Sequence, residues 1–240
     1  MPGQAMVLAI EASQRAQSVA LGHADWVEQE PVQADRRDVE DLLPAIDRLC
    51  RRRQVAPCSL GAVVVDGGPG GFTGLRMAHA AAQAMALAIG VPVVQVCAAV
   101  VAVEVARREG RLQPEQASWV ALACKGEEAW TARVDRRGEP DVAADARSRT
   151  VDMWDQAGVE CLVADEHLPA SWVQACERRG IRRVPLQLDA AGLLRVGMRM
   201  LERGRTVRAE ALVPLYPREA EAVRLWRERH GAGTDGTGGA

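Results

Sequence analysis

Glu11 closes an apolar run that begins at Met6, and Ser13 follows two residues later. A carboxylate and a hydroxyl at a strand end are oxygen ligands of the kind a hydrated Mg²⁺ accepts opposite a nucleotide phosphate, and they also serve as ordinary turn or cap residues. The stretch Gly67-Gly68-Pro69-Gly70-Gly71-Phe72-Thr73-Gly74 lies between a valine-rich run and a helical pattern. Glycines there let backbone amides approach an anion at a helix N-terminus. The spacing departs from both common phosphate loops: no Gly-Lys-Ser/Thr follows, and Gly68-x-Gly70 leads to Thr73 where a third glycine would stand. Two readings stay open, a phosphate cradle or a tight strand-to-helix turn. Lys125, the single lysine, sits in a turn beside Gly126, either as a solvated residue or facing a cleft.

Other chemistries find little support. His23, His79, His167 and His230 are too dispersed for a paired metal motif, and no cysteine joins them at zinc spacing. No GxSxG nucleophile elbow occurs. The six cysteines never approach a CxxC spacing and mostly lie in apolar stretches, which predicts a reducing, cytoplasmic setting. The chain shows neither an export signal nor a run of about 20 uncharged apolar residues, so no membrane span is expected. With 30 Lys and Arg against 32 Asp and Glu, the formal charge of -2 excludes the broad positive field of a stand-alone nucleic-acid binder. The arginine clusters at 51–53 and at 178, 179, 182 and 183 read as solvated helix ends.

The elements that position these residues follow from periodicity. Met6 to Glu11 and Ser18 to Gly22 predict a hairpin with a third strand near Trp26 to Val32. Val39, Leu42, Leu43, Ile46, Leu49 and Cys50 repeat at helical steps over 38–53, with Pro44 in the first turn or at a kink. Leu60 to Asp66 reads as a strand buried on both faces. A helix capped by Thr73 and stopped near Gly90 follows, apolar over about 300° of its circumference. A sheet on one side cannot cover such a helix, so its remaining surface packs either on the 38–53 helix or on another chain. Further expectations are a strand at 91–96, a helix at 97–108, a second hairpin at 119–134, a weak helix at 150–157, a strand at 161–164, and helices at 170–179 and 189–203. Hairpin followed by alternating strand and helix, twice over, predicts duplicated α/β units: an N-terminal lobe over 1–110, a C-terminal lobe over 111–230 and a disordered tail at 231–240.

Four stretches carry a family resemblance: Leu8-Ala9-Ile10-Glu11-Ala12-Ser13, Arg37-Asp38-Val39-Glu40-Asp41-Leu42-Leu43-Pro44, Gly68-Pro69-Gly70-Gly71-Phe72-Thr73-Gly74-Leu75-Arg76 and Pro214-Leu215-Tyr216-Pro217-Arg218. Together they resemble the TsaB (YeaZ) family, over about residues 5 to 220. The resemblance implies an α/β, actin-like and Hsp70-like ATPase (ASKHA) fold of two lobes, each a mixed sheet flanked by helices. It implies a non-catalytic subunit of the bacterial tRNA threonylcarbamoyladenosine machinery, which pairs with the transferase TsaD, helps recruit the ATPase TsaE and homodimerises when alone. Contact with tRNA would come only through the complex. The partner surface would use Glu40, Leu42, Leu43, Ile46, Leu75, Arg76, Ala78 and Ala82. Glu11, Ser13, Gly68, Gly70, Gly71, Thr73 and Lys125 would lie nearest any nucleotide, with no cofactor of the chain's own and ATP or ADP at most at the junction with TsaD. The chain departs from the pattern at Glu11, where the family usually has Asp, at Lys125, where it has Arg, and at Asp38-Val39-Glu40, where His-Ser-Glu is favoured. Two rivals remain, a nucleotide-dependent ATPase or small-molecule kinase of the same fold and a metallopeptidase-like hydrolase.

Overall fold

The apolar runs of the first hundred residues assemble one sheet. Strands β1 (Met6–Glu11), β2 (Ser18–His23), β3 (Trp26–Pro31), β4 (Leu60–Asp66) and β5 (Val93–Val96) lie in the order β3-β2-β1-β4-β5. β1 pairs antiparallel with β2 and parallel with β4, so the hairpin and the buried strand share a central edge. The second sheet repeats the plan with β6 (Ser118–Ala123), β7 (Glu128–Val134), β8 (Arg147–Thr150), β9 (Cys161–Ala164) and β10 (Arg182–Pro185), ordered β10-β9-β6-β7-β8. Each position of one sheet has its counterpart in the other, which is the duplicated ASKHA architecture. This is a computed structural model, and it describes residues 5–23, 26–33, 41–134 and 145–217.

Helix α1 (Leu42–Arg52) and helix α2 (Phe72–Ile89) cover one face of the first sheet. Leu42, Ala45, Ile46 and Leu49 of α1 and Ala78, Ala82 and Ala86 of α2 meet Leu8, Ile10, Val19, Val63 and Val65 in a single core. Pro44 falls in the first turn, where a missing N–H removes no helical bond. On the other face lie helix α3 (Ala98–Arg108) and helix α5 (Ala190–Glu202), in one core that reaches across to Val120, Leu122, Trp130 and Val163 of the second sheet. Helix α4 (Ala170–Arg179) closes the outer face of that sheet, where Trp172 and Trp154 stack at 5.1 Å.

Several expectations are corrected. The boundary that gave 111–230 to the second lobe fails at the end of the chain, because α5 packs on β1, β2, β4 and β5 of the first sheet. Gly197 makes this approach possible: a Cβ there would lie 2.4 Å from the Val64 side chain. From there a strap runs back over the first lobe, with Val207 N donating to Val93 O (2.8 Å), Gln83 to Ala209 O (2.9 Å) and Gln95 to Val213 O (2.6 Å). Thr73 caps nothing, since α2 begins at Phe72 with Gly71 as its N-cap. The expected helix at 150–157 is instead β8 and a single 3-10 turn, Val151–Met153. Residues 38–40, including Glu40, and the tail at 231–240 lie outside the described residues.

The arginines at 51–53 are not simply a solvated end. Arg52 reaches Glu28 (2.6 Å) and Glu30 (2.7 Å), Arg53 pairs with Glu28 and stacks 4.5 Å over Trp26, and Arg51 pairs with Asp47 (2.9 Å). Arg48 adds Glu30 (3.0 Å) and Asp41 (2.8 Å). Each exposed pair is worth at most about 1 kcal/mol, and together they fix α1 along edge strand β3. Among the described residues no helix is long and apolar enough to cross a membrane.

Candidate functional site

Parallel pairing of β1 with β4 brings their carboxyl ends together, with Ile10 opposite Val65 and hence Glu11 beside Asp66. Both acids are fully buried, and Ser13, also buried, sits between them. Its hydroxyl oxygen lies 2.6 Å from Glu11 Oε1 and 2.8 Å from Asp66 Oδ2. A hydroxyl carries one proton, so it donates to one carboxylate and accepts from a protonated partner. The electrostatics agree. Burial first, then the charge of Asp66, pushes Glu11 well above the usual carboxylate range, against the lowering effect of the Ser13 bonds. Burial raises Asp66 as well, opposed by bonds from Gly68 and Ser13. The pair therefore holds a proton at neutral pH.

As arranged, this pair does not fit a hydrated Mg²⁺. Glu11 Oε1 accepts from Ser13 N at 2.8 Å, Asp66 Oδ1 accepts from Gly68 N at 2.7 Å, and Asp66 Oδ2 is engaged by Ser13. The fourth oxygen, Glu11 Oε2, is buried without a partner among the described residues. A hard divalent cation wants charged, accessible oxygens, and a proton-sharing pair in the core offers neither. Among the described residues no three His, Cys, Asp or Glu side chains converge as a metal site.

The glycine loop is likewise engaged with the protein itself. Gly67 N donates to Val96 O (2.6 Å) and Gly71 N to Ser13 O (2.7 Å), while Gly67 O accepts from Leu215 N (2.7 Å) and Gly68 O from Ala98 N (2.9 Å). A Cβ at Gly70 would stand 2.5 Å from Ser13 Cβ, and one at Gly74 only 1.9 Å from Ala12 O. The glycines thus allow the β1–β2 turn to lie against the start of α2, which favours the tight-turn reading of this loop over an open cradle. Gly68, Gly70 and Gly71 lie together with Glu11, Ser13 and Asp66 at this joint.

Above the loop an interlobe cleft of about 1230 Å³ opens between the β1–β2 turn, the start of α2 and the ends of β9 and β10. Ser13, Gly70, Gly71 and Thr73 line it from the first lobe, Asp165, His167 and Arg183 from the second, and Asp189 from the start of α5. Lys125 is not brought to this site: the cleft takes Leu122 and Ala123 from its hairpin, and Lys125 is exposed in the turn beyond them.

The expected partner surface divides in two. Leu42, Ile46, Leu75, Ala78 and Ala82 are buried in the protomer's own core and cannot meet a partner. Helical steps from 42 and 75 place them on the inner faces of α1 and α2, which the sheet covers. Leu43 is 55% exposed, and Arg76 is exposed over the Phe72 ring at 4.2 Å. The outer face of α2 is apolar all the same: Phe72 (52%) and Leu87 (57%) are exposed, with exposed Ala80, Ala84 and Ala88 between and beside them at helical spacing. At its N-terminal end Phe72 packs on Tyr216 of the strap, ring centroids 5.2 Å apart.

Sequence reasoning missed Asp66, Phe72 and Leu87 as site residues. Asp66 ends β4 as Glu11 ends β1, and that symmetry was the available signal. Nothing in a helix apolar on nearly all sides tells its inner face from its outer one.

Comparison with known proteins agrees with this geometry. The signature of the family described as TsaD, tRNA N6-adenosine threonylcarbamoyltransferase, matches residues 27–136. An uncharacterized protein, ML0378, of Mycobacterium leprae is 39% identical over 97 residues, a match spanning 38% of this chain and 27% of that relative's length. Among solved structures, YeaZ from Pseudomonas aeruginosa is 26% identical, with a TM-score of 0.70 over 89% of this chain and 100% of the other. A protein described as similar to peptidase YeaZ, from the same organism, reaches 0.74 at 26% identity, covering 90% of this chain and 100% of its own. In fold over most of its length and in the sequence signature of its first half, the chain is similar to YeaZ (TsaB) and is related to the threonylcarbamoyltransferases of tRNA modification.

Proposed function

We propose that this chain is a non-catalytic scaffold of the tRNA threonylcarbamoyladenosine machinery of the cytoplasm, pairing with the transferase TsaD and helping recruit the ATPase TsaE. One observation carries the reading: the outer face of α2 is apolar and exposed while its inner face is already satisfied by the sheet. A face of this kind costs solvation free energy until something covers it. In the absence of TsaD a second copy of the chain covers it, and tRNA meets the chain only within the assembly. The proton-sharing Glu11–Asp66 pair and the self-bonded glycine loop support a chain without catalytic steps of its own.

The test is co-purification of tagged chain with TsaD. Leu87→Glu and Ala84→Glu place a charge on the exposed face and leave the core untouched. A central apolar anchor is worth about 2 kcal/mol or more, roughly a 30-fold loss of affinity, so capture of TsaD falls while thermal unfolding barely moves. Undiminished capture sinks the proposal. The rival ATPase or kinase reading draws on the size of the interlobe cleft. Calorimetry with Mg-ATP on the purified chain decides it: micromolar binding with turnover replaces the scaffold reading.

A further inference from the structure

The two arginine clusters of this chain have opposite fates. The one on α1 is neutralised, with Arg48, Arg52 and Arg53 paired to Glu28, Glu30 and Asp41. The second, Arg178, Arg179, Arg182 and Arg183, is not. Arg178 and Arg179 end α4, and after a turn at Gly180 and Ile181 the chain enters β10 with Arg182 and Arg183. β10 is the edge strand of its sheet, and all four arginines are exposed. Among the described residues Arg178 and Arg179 make no ion pair, and Arg183 has one distant carboxylate, Glu177, at 3.9 Å. Arg182 donates to neutral acceptors, Arg111 O at 3.0 Å and Gln116 Oε1 at 3.4 Å, and among the described residues it makes no ion pair. Basic residues at a helix C-terminus offset the helix dipole, and charged side chains guard a sheet edge. Those two effects call for one or two charges, not for four within six residues that lack the acidic partners supplied to the other cluster.

We propose that this corner of the second lobe, the end of α4 with edge strand β10, is a contact surface for the phosphate backbone of RNA, engaged by the tRNA that the assembled complex modifies. The inference rests on the tRNA-modification reading above. Exposed guanidiniums without counter-charges are suited to phosphates, because they bind bidentately and give up little on leaving water. The neutral overall charge keeps the contact weak for the chain by itself and adds it to what a partner supplies.

The experiment follows tRNA binding by fluorescence anisotropy over a salt series, for the chain with TsaD and for the chain alone. The variants are Arg178→Ala/Arg179→Ala/Arg183→Ala, the matching triple Lys variant, and Arg51→Ala as a control on the neutralised cluster. Loss of three phosphate contacts lowers the slope of log affinity against log salt by about 2 to 3, and lowers affinity on the order of 10- to 100-fold at roughly 0.15 M salt. The Lys variant retains the slope and Arg51→Ala leaves it unchanged. An unaltered slope in the Ala variant overturns the inference, as does an equal loss from Arg51→Ala. Loss of TsaD capture by the Ala variant also overturns it, since the corner would then face an acidic protein surface. If wild-type chain fails to capture TsaD, the scaffold reading falls, and the slope measured on the chain alone still decides this one.

Discussion

Glu11→Gln tests the proton-sharing pair directly. In the folded chain Glu11 is raised from 4.5 to about 8, chiefly by burial and then by Asp66. Between those two values the native state holds a proton that the unfolded chain has released. Stability is therefore fully present below about pH 4.5 and declines as pH rises toward 8, by about 1.4 kcal/mol per unit where the difference is a whole proton, a few kcal/mol in all. Glutamine cannot titrate, so this decline disappears. The substitution has its own cost. The retained oxygen still accepts from Ser13 N, but the new amide group falls where Glu11 Oε2 has no partner among the described residues. A buried donor left unsatisfied costs about 1 to 3 kcal/mol. The variant is accordingly less stable than wild type near pH 5 and gains on it steadily, so that the two stability curves converge or cross in the alkaline range. Asp66 is coupled to Glu11, so the difference between the curves reports the titration of the pair and not of Glu11 alone. Urea unfolding at a series of pH values from about 5 to about 9 measures it. Parallel profiles would show that Glu11 ionises normally and that the shared proton does not exist.

Three further outcomes follow from the packing. Ala78→Glu, which a partner-facing reading of α2 would make a subunit-dissociating change, instead unfolds the protomer, because residue 78 is fully buried against the sheet and an unpaired charge there costs several kcal/mol; loss of the far-UV helical signal at room temperature checks it. Gly74→Ala drives a Cβ to 1.9 Å from Ala12 O, a backbone atom that cannot rotate away, and lowers the free energy of unfolding, read from a urea titration, by more than the usual 1 to 3 kcal/mol of overpacking. Leu43→Ser, on the exposed outer side of α1, changes stability by no more than about 0.5 kcal/mol in the same denaturant titration.

The architecture was legible where strands were long and strongly patterned. Valine-rich β4 and the opening hairpin announced themselves, and the repetition of hairpin and alternating units gave the two sheets. β8 and β10 were not visible, because four-residue edge strands rich in arginine carry no apolar alternation. The return of α5 to the first sheet was hidden for a different reason. Its amphipathic pattern says that one face is covered but not by which sheet, and only Gly197 against Val64 shows the contact. At the candidate site, Glu11 and Ser13 could be read from the end of β1, whereas their bond to Asp66 joins residues 53 positions apart and exists only once β1 and β4 are paired. The interface residues were misassigned because α2 is apolar on both faces, so periodicity named the helix and left its orientation open.

The closed glycine loop and the open helix face are two sides of one arrangement. Gly70 and Gly74 let the β1–β2 turn press on the start of α2, and the N-cap amide, Gly71 N, bonds to Ser13 O and anchors the helix there. The strap adds a second hold through Leu215 N on Gly67 O and Tyr216 against Phe72. Small residues at 78, 82 and 86 keep α2 close to β4, leaving Ala80, Ala84 and Leu87 outward on a helix that cannot shift without breaking these contacts. Binding to a surface already held in place requires little ordering, which favours affinity at a modest apolar face. If α2 is the proposed platform for a subunit, a change that loosens the loop, such as Gly70→Ala, weakens partner capture, and co-purification with TsaD measures it.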